Sequence, residues 1–207
     1  MSSADAAEAG RRLFLISPPR LEPARFGPEL SAALGVGDIA GFLLRLDDGS
    51  QAARAAGSLR PVCAAHGVAF LVEGDVNLAR ECGADGVHLR TAKAVAAARA
   101  ALGAERLLGA SCGTSRHAAM VAGEEGADYI AFGEPGAPPD DDLVELVRWW
   151  SEVFVLPCLV EAELDEHGCG PLVRAGADLI GASAAVFDHP DGAAVGVLAM
   201  QRAIETA

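Results

Sequence analysis

Two ionisable side chains interrupt runs that are otherwise apolar: Arg45 in IAGFLLRL (39–46) and His88 in GVHL (86–89). A charge in such a run must find a partner or a ligand, because an unpaired charge held away from water is costly. For Arg45 the alternatives are a salt bridge to Glu73 or Asp75 and an anionic ligand. For His88 they are a hydrogen-bonded place in the core and a catalytic role. Glu73 and Asp75 sit where VAFLVEG (68–74) ends, two residues apart, so both carboxylates share a face if a strand continues that far. Such a pair could hold a hard cation such as Mg²⁺ through oxygen ligands. With His88 it could instead do acid–base work on an unphosphorylated ligand. Arg90 and Lys93 are the basic groups that follow His88, and Lys93 is the only Lys against fifteen Arg.

The elements that must position these groups are marked by a repeat. Gly-Ala-Asp occurs at 83–85, 126–128 and 176–178, each time after a helical pattern (77–82, 117–125 and 164–175) and before a short apolar run. Gly ends a helix without steric cost, Ala fits the turn, and Asp can cap backbone groups there. The run that follows reads as a strand buried on both faces. Spacings of 43 and 50 residues are two βα units each, at about 25 residues per unit. Strands between the joints complete the set: 13–17, 39–46, 68–74, 86–89, 107–112, 129–133, 155–160 and 179–183. Eight strands, each with a helix after it, predict a compact (β/α)₈ TIM barrel of parallel strands over 13–207, with 1–12 as a flexible lead-in. An open doubly wound sheet is disfavoured, since SPPR after the first strand is no Gly-rich phosphate turn. Pro61 is expected to kink or split the helix over 51–66.

In this fold chemistry gathers where the strands end. That adds Ser17, Ser111, Gly133, Glu134, Ser183 and Ala184 as candidate substrate contacts beside Arg90, and it makes the mouth rich in acid through Asp140, Asp141, Asp142 and Glu161. The net charge of −13 argues against a nucleic-acid surface or an anionic membrane as partner. No apolar run is long enough to span a bilayer. Five Cys with no C-x-x-C pair suit a reducing cytoplasm, with Cys112 and Cys158 as buried thiols. Trp149 and Trp150 read as outer-layer packing, or as a homodimer contact.

These residues resemble the thiamine phosphate synthase and thiazole tautomerase superfamily. LFLIS (13–17) stands for its opening L-Y-L-I-T strand. Gly83 to Leu89 match its G-A-D-G-V-H-L throughout, Gly126 to Gly133 its G-A-D-Y-I-x-F-G, and Gly176 to Ala184, more loosely, its eighth strand. The resemblance implies a transferase that joins a hydroxymethylpyrimidine diphosphate to a thiazole phosphate, with Mg²⁺ and basic residues drawing off the diphosphate. No organic cofactor is implied. Several functional positions differ. The family's Q-L-R-E-K is here Leu43-Leu44-Arg45-Leu46-Asp47, which keeps the Arg. Its metal-binding Asp after the third strand is Gly74, beside Glu73. Its G-Q-x-D is Arg90-Thr91-Ala92-Lys93, so a Lys replaces the second metal-binding Asp. The Thr- and Lys-bearing loop after strand 6 is EPGAPPDDD, and G-G-I after strand 7 is Val160-Glu161-Ala162. The tautomerase His is absent from its place after strand 5. Arg45, His88 and Lys93 are thus the candidate catalytic residues of a divergent active site, Lys93 and Arg90 taking over diphosphate charge. Two other readings stay open: a catalytically degenerate barrel that binds a thiamine-related metabolite or a partner, and a repurposed acid–base enzyme.

Overall fold

The computed structural model describes residues 12–207. Eight parallel strands close into a barrel in chain order: β1 Arg12–Ile16, β2 Ile39–Leu44, β3 Ala69–Glu73, β4 Gly86–Leu89, β5 Leu107–Ser111, β6 Tyr129–Phe132, β7 Cys158–Val160 and β8 Leu179–Ala182. The ring closes where Leu13 pairs with Ile180. Around it run α1 Pro23–Leu34, α2 Ala52–Ala65, α3 Val76–Cys82, α4 Val95–Leu102, α5 Arg116–Glu124, α6 Asp141–Val153, α7 Gly170–Ala175, α8 Ala184–Phe187 and α9 Ala193–Glu205. The expected lead-in lies outside the described residues except for Arg12, which opens β1. Among the described residues no helix is long and apolar enough to cross a membrane.

Strand residues alternate between two cores. Phe14, Ile16, Leu43, Leu71, Tyr129, Ala131 and Leu159 form the cluster inside the barrel. The alternate residues, such as Phe42, Phe70, Leu108 and Ile130, belong to the larger layer under the helices. Tyr129 fits inside the ring only because its neighbour is Gly109, where a Cβ would collide with the phenol ring. Trp150 packs in the outer layer, with Nε1 donating to the Leu156 carbonyl at 2.8 Å, and Arg116 lies over the half-buried Trp149 ring at 4.5 Å. Cys63, Cys112, Cys158 and Cys169 are buried free thiols, and burial pushes Cys112 up to about 12.

The Gly-Ala-Asp joints explain why three residues recur. Each Gly has positive φ (68°, 96° and 102°), a region that L side chains rarely adopt. Each Ala N–H returns to a carbonyl five residues back in the helix it closes. Each Asp then reaches across to the preceding strand instead of capping its own helix. Asp85 donates its N–H to the Phe70 carbonyl at 2.9 Å and accepts the Phe70 N–H on Oδ2 at 2.8 Å. Asp128 does the same with Leu108, and Asp178 with Cys158. Replacing Asp85 with Ala leaves the Phe70 N–H, at a fully buried position, without its acceptor. The expected cost is about 1–3 kcal/mol in urea unfolding with an unchanged m-value.

Three local expectations are corrected. Helix α2 runs through Pro61 as one piece. Pro61 and Gly57, whose carbonyl loses its donor, are both exposed, so water can take the vacant bond. The helix expected from Leu164 begins only at Gly170, because the Asp165 carboxylate captures the N–H groups of His167 and Gly168 at 3.0 and 2.7 Å in a local turn. Strand β7 begins at Cys158 and not at 155, since Pro157 has no N–H for the ladder.

Candidate active site at the barrel mouth

β3, β4 and β5 supply Glu73, His88 and Ser111, and the residues just after β2 and β7 add Arg45 and Glu161 to the same cluster. Arg45 donates through Nε to Glu73 Oε1 and through Nη2 to Glu161 Oε1 at 2.8 Å. The second oxygen of Glu73 accepts from Arg90 Nε at 2.7 Å. Glu161 is 2% exposed and also accepts from Ser111 Oγ on Oε2 at 2.9 Å. His88, fully buried, sets Nε2 at 2.8 Å from Ser111 Oγ and 3.1 Å from Glu161 Oε1, with Nδ1 at 2.9 Å from the Tyr129 hydroxyl.

Proton counting fixes the roles. The single Ser111 proton goes to Glu161, so Ser111 Oγ can only accept from His88, and Nε2 therefore carries a proton. A protonated Nε2 cannot take the proton of Ser111, and its carboxylate partner lies on that same nitrogen. The cluster is thus no nucleophilic triad. Its job is to hold Arg45. Burial pushes the Glu161 carboxyl up, but the charges and hydrogen bonds of His88 and then Arg45 outweigh it and hold the group well below the usual carboxylate range. Burial, with the Glu161 charge adding to it, keeps Tyr129 a neutral phenol far above its ordinary range. Burial works against the Arg45 charge, but Glu161 and Glu73 outweigh it and raise its pKa.

A pH dependence follows from the depressed Glu161. Its stabilising contribution is fully present above the ordinary value of 4.5 and is lost as pH falls through the lower folded value. The difference in unfolding free energy between wild type and E161Q is expected to be widest above about pH 5 and to shrink as pH falls. Urea titrations of both proteins from pH 3 to 7 check this; a constant difference would contradict it.

Two cavities open above this cluster. The first, about 490 Å³, is lined by Arg45, Glu73, Arg90, Ser111, Gly133 and Glu134 among others. The second, about 460 Å³, is lined by Ser17, Glu161, Glu163, Gly181, Ser183 and Ala184 among others. They share Arg45, Asp47 and Pro135 as a common wall. The structure therefore brings Arg45, Arg90, Ser111, Gly133, Glu134, Ser183 and Ala184 to the mouth. His88 lies beneath it and lines neither cavity. Lys93 is exposed on a 3₁₀ turn, Ala92–Ala94, and lines neither cavity. The Ser17 hydroxyl is spent on the backbone of Arg45, accepting its N–H at 2.9 Å and donating to its carbonyl at 2.7 Å. Sequence reasoning placed Glu161 at the mouth only as one acid among several, without a binding or catalytic role, and did not single out Tyr129. For Glu161 the signal was present: Leu159 points into the barrel, and two residues on is the same face.

The expected metal pair does not form. Asp75 is the N-cap of α3, accepting the Leu78 N–H at 2.9 Å, because β3 has already ended at Glu73. Each oxygen of Glu73 is bonded to a guanidinium. Among the described residues no three His, Cys, Asp or Glu side chains gather as a metal site. The residues at this mouth do not fit a protein-held Mg²⁺.

Residues 13–186 match the family described as thiamine monophosphate synthase. The chain belongs to that family. It is 41% identical over 202 residues to the thiamine-phosphate synthase of Rhodospirillum centenum, covering 92% of this chain and 96% of the relative. It is 40% identical over 205 residues to that of Erythrobacter litoralis, covering 94% and 96%. Among solved structures, thiamine phosphate pyrophosphorylase from Pyrococcus furiosus superposes with a TM-score of 0.80 at 22% identity, covering 94% of this chain and 96% of that one. As a member of the thiamine monophosphate synthase family, the chain is built on a closed eight-stranded barrel that carries Arg45 at its mouth.

Proposed function

We propose that this protein is a thiamine-phosphate synthase, acting in the cytoplasm on a pyrimidine methyl diphosphate and a thiazole phosphate. The observation that carries the reading is the pair of cavities of similar size that meet at Arg45, one chamber for each reactant of a two-substrate reaction. The names of its relatives support it. In the reaction the methylene–oxygen bond breaks and its electron pair leaves on the diphosphate. The thiazole nitrogen then gives its lone pair to the pyrimidine methylene to form the new C–N bond. Arg45, on the shared wall and fixed from below by Glu161 and from the side by Glu73, meets the charge that develops on the leaving oxygen. The buried His88 and Tyr129, with the half-buried Ser111 above them, hold that geometry and keep water out beneath it.

Mass detection of thiamine phosphate, made by the purified chain from the two precursors with and without Mg²⁺, tests the proposal. Product well above the enzyme-free control is expected. A folded protein that gives none would favour the second reading, a binding barrel. That reading is supported by EPGAPPDDD, a loop with no Lys after β6, and by Glu163 in the second cavity.

A further inference from the structure

The end of β3 and the residues after β4 lie side by side at the mouth, where Arg90 is bonded to Glu73. The resemblance described above implies a metal-binding Asp at the place of Gly74 and a Gly at that of Arg90. In space these two positions meet. A Cβ built on Gly74 would lie 3.9 Å from Arg90 Nε, so the Arg90 side chain passes in van der Waals range of position 74. Gly74 is itself tied to this place, its N–H donating to the His88 carbonyl at 2.8 Å.

We infer that the guanidinium of Arg90, with Arg45, is the cation this chain offers to the diphosphate, and that the mouth needs no divalent ion held by the protein. The inference rests on the synthase reading for the identity of the diphosphate. Three observations carry it. Glu73, on the wall of the first cavity, is gripped by the guanidinium groups of Arg45 and Arg90, so both of its oxygens are already occupied by cations the chain supplies. A divalent cation at Glu73 would have to displace Arg45 or Arg90 and then sit beside them, which Coulomb repulsion opposes. Only Nε of Arg90 is bonded within the described residues, and two-thirds of the side chain is exposed, so both terminal nitrogens are open to the cavity. A guanidinium edge of that kind matches two oxygens of a phosphate. Lys93, on its exposed turn, is not needed for this role.

The two possible occupants of this place predict opposite effects for one variant. Glu73→Gln removes a metal ligand if a cation is held there, but it frees two guanidinium groups if they hold the anion. The test is isothermal titration of the full chain with inorganic pyrophosphate in EDTA, alongside Mn²⁺ titration of the protein alone followed by electron paramagnetic resonance. Pyrophosphate is expected to bind in EDTA, several-fold more tightly in E73Q. In R90Q binding should weaken by about tenfold or more, as for loss of a charge-assisted hydrogen bond. R90K is expected to fall between R90Q and wild type, and thermal melts confirm that each variant is folded. Mn²⁺ held by the protein alone and lost in E73Q, or pyrophosphate bound only when Mg²⁺ is added, would overturn the inference. If pyrophosphate binds in EDTA and no thiamine phosphate is ever made, the synthase reading fails and the anion site stands. If thiamine phosphate is made only with Mg²⁺, the synthase reading stands and the inference fails.

Discussion

Replacing Glu161 with Ala is expected to lower the unfolding free energy by about 3–5 kcal/mol, the usual cost of removing one partner from a buried ion pair. The carboxylate receives Arg45 Nη2, Ser111 Oγ and His88 Nε2, and all three lose an acceptor at once. Glu73 still neutralises Arg45 from one side, which keeps the loss from running higher. For a chain of this length the midpoint of thermal melting should drop by roughly 10 °C. E161Q keeps the shape and one acceptor oxygen, and its drop should be smaller. Differential scanning calorimetry at pH 7 measures both. A loss below about 1 kcal/mol for E161A would mean that the cluster contributes no more than a surface pair.

Arg45→Ala is expected to reduce turnover of the two precursors by about 10²–10³-fold, the range seen when one donor to a developing anion is removed. Most of the loss should fall in kcat, because the leaving-group charge is largest in the transition state. Arg45→Lys should recover part of it. An ammonium restores the charge but cannot reach Glu73, Glu161 and the leaving oxygen with one rigid fork. Steady-state kinetics well below each variant's melting temperature separate this from unfolding. A rise in KM with kcat unchanged would assign Arg45 to binding alone.

The barrel was legible because its signals are local. A Gly that must take positive φ, an Ala in a tight turn and an Asp at the joint can be read within three residues, and the spacing supplies the rest. Arg45 was legible for a similar reason, since a charge in an apolar strand advertises an inward position, and one of its expected partners, Glu73, is bonded to it. What could not be read depends on where strands stop and on closure of the ring. Asp75 looks like a ligand if β3 continues and becomes a helix cap once it ends at Glu73. The partnership of Arg45 with Glu161 joins residues 116 positions apart, and no pattern short of the closed barrel announces it. Lys93, the residue that stood out most by composition, lies outside the mouth because two residues of turn separate it from the strand end that carries Arg90.

The paired bonds at the Gly-Ala-Asp joints also bear on how the molecule breathes. They close the barrel at the end of the strands opposite the mouth, and they involve none of the groups that line the two cavities. In native-state hydrogen exchange, the amides of Phe70, Leu108 and Cys158 should open only with global unfolding, while those around Gly113 and Gly136 exchange through local fluctuation. Rigidity would then be concentrated in one rim and adaptability in the other. A barrel partitioned in this way lets the side chains of the mouth adjust to what they bind while the opposite rim keeps the ring closed.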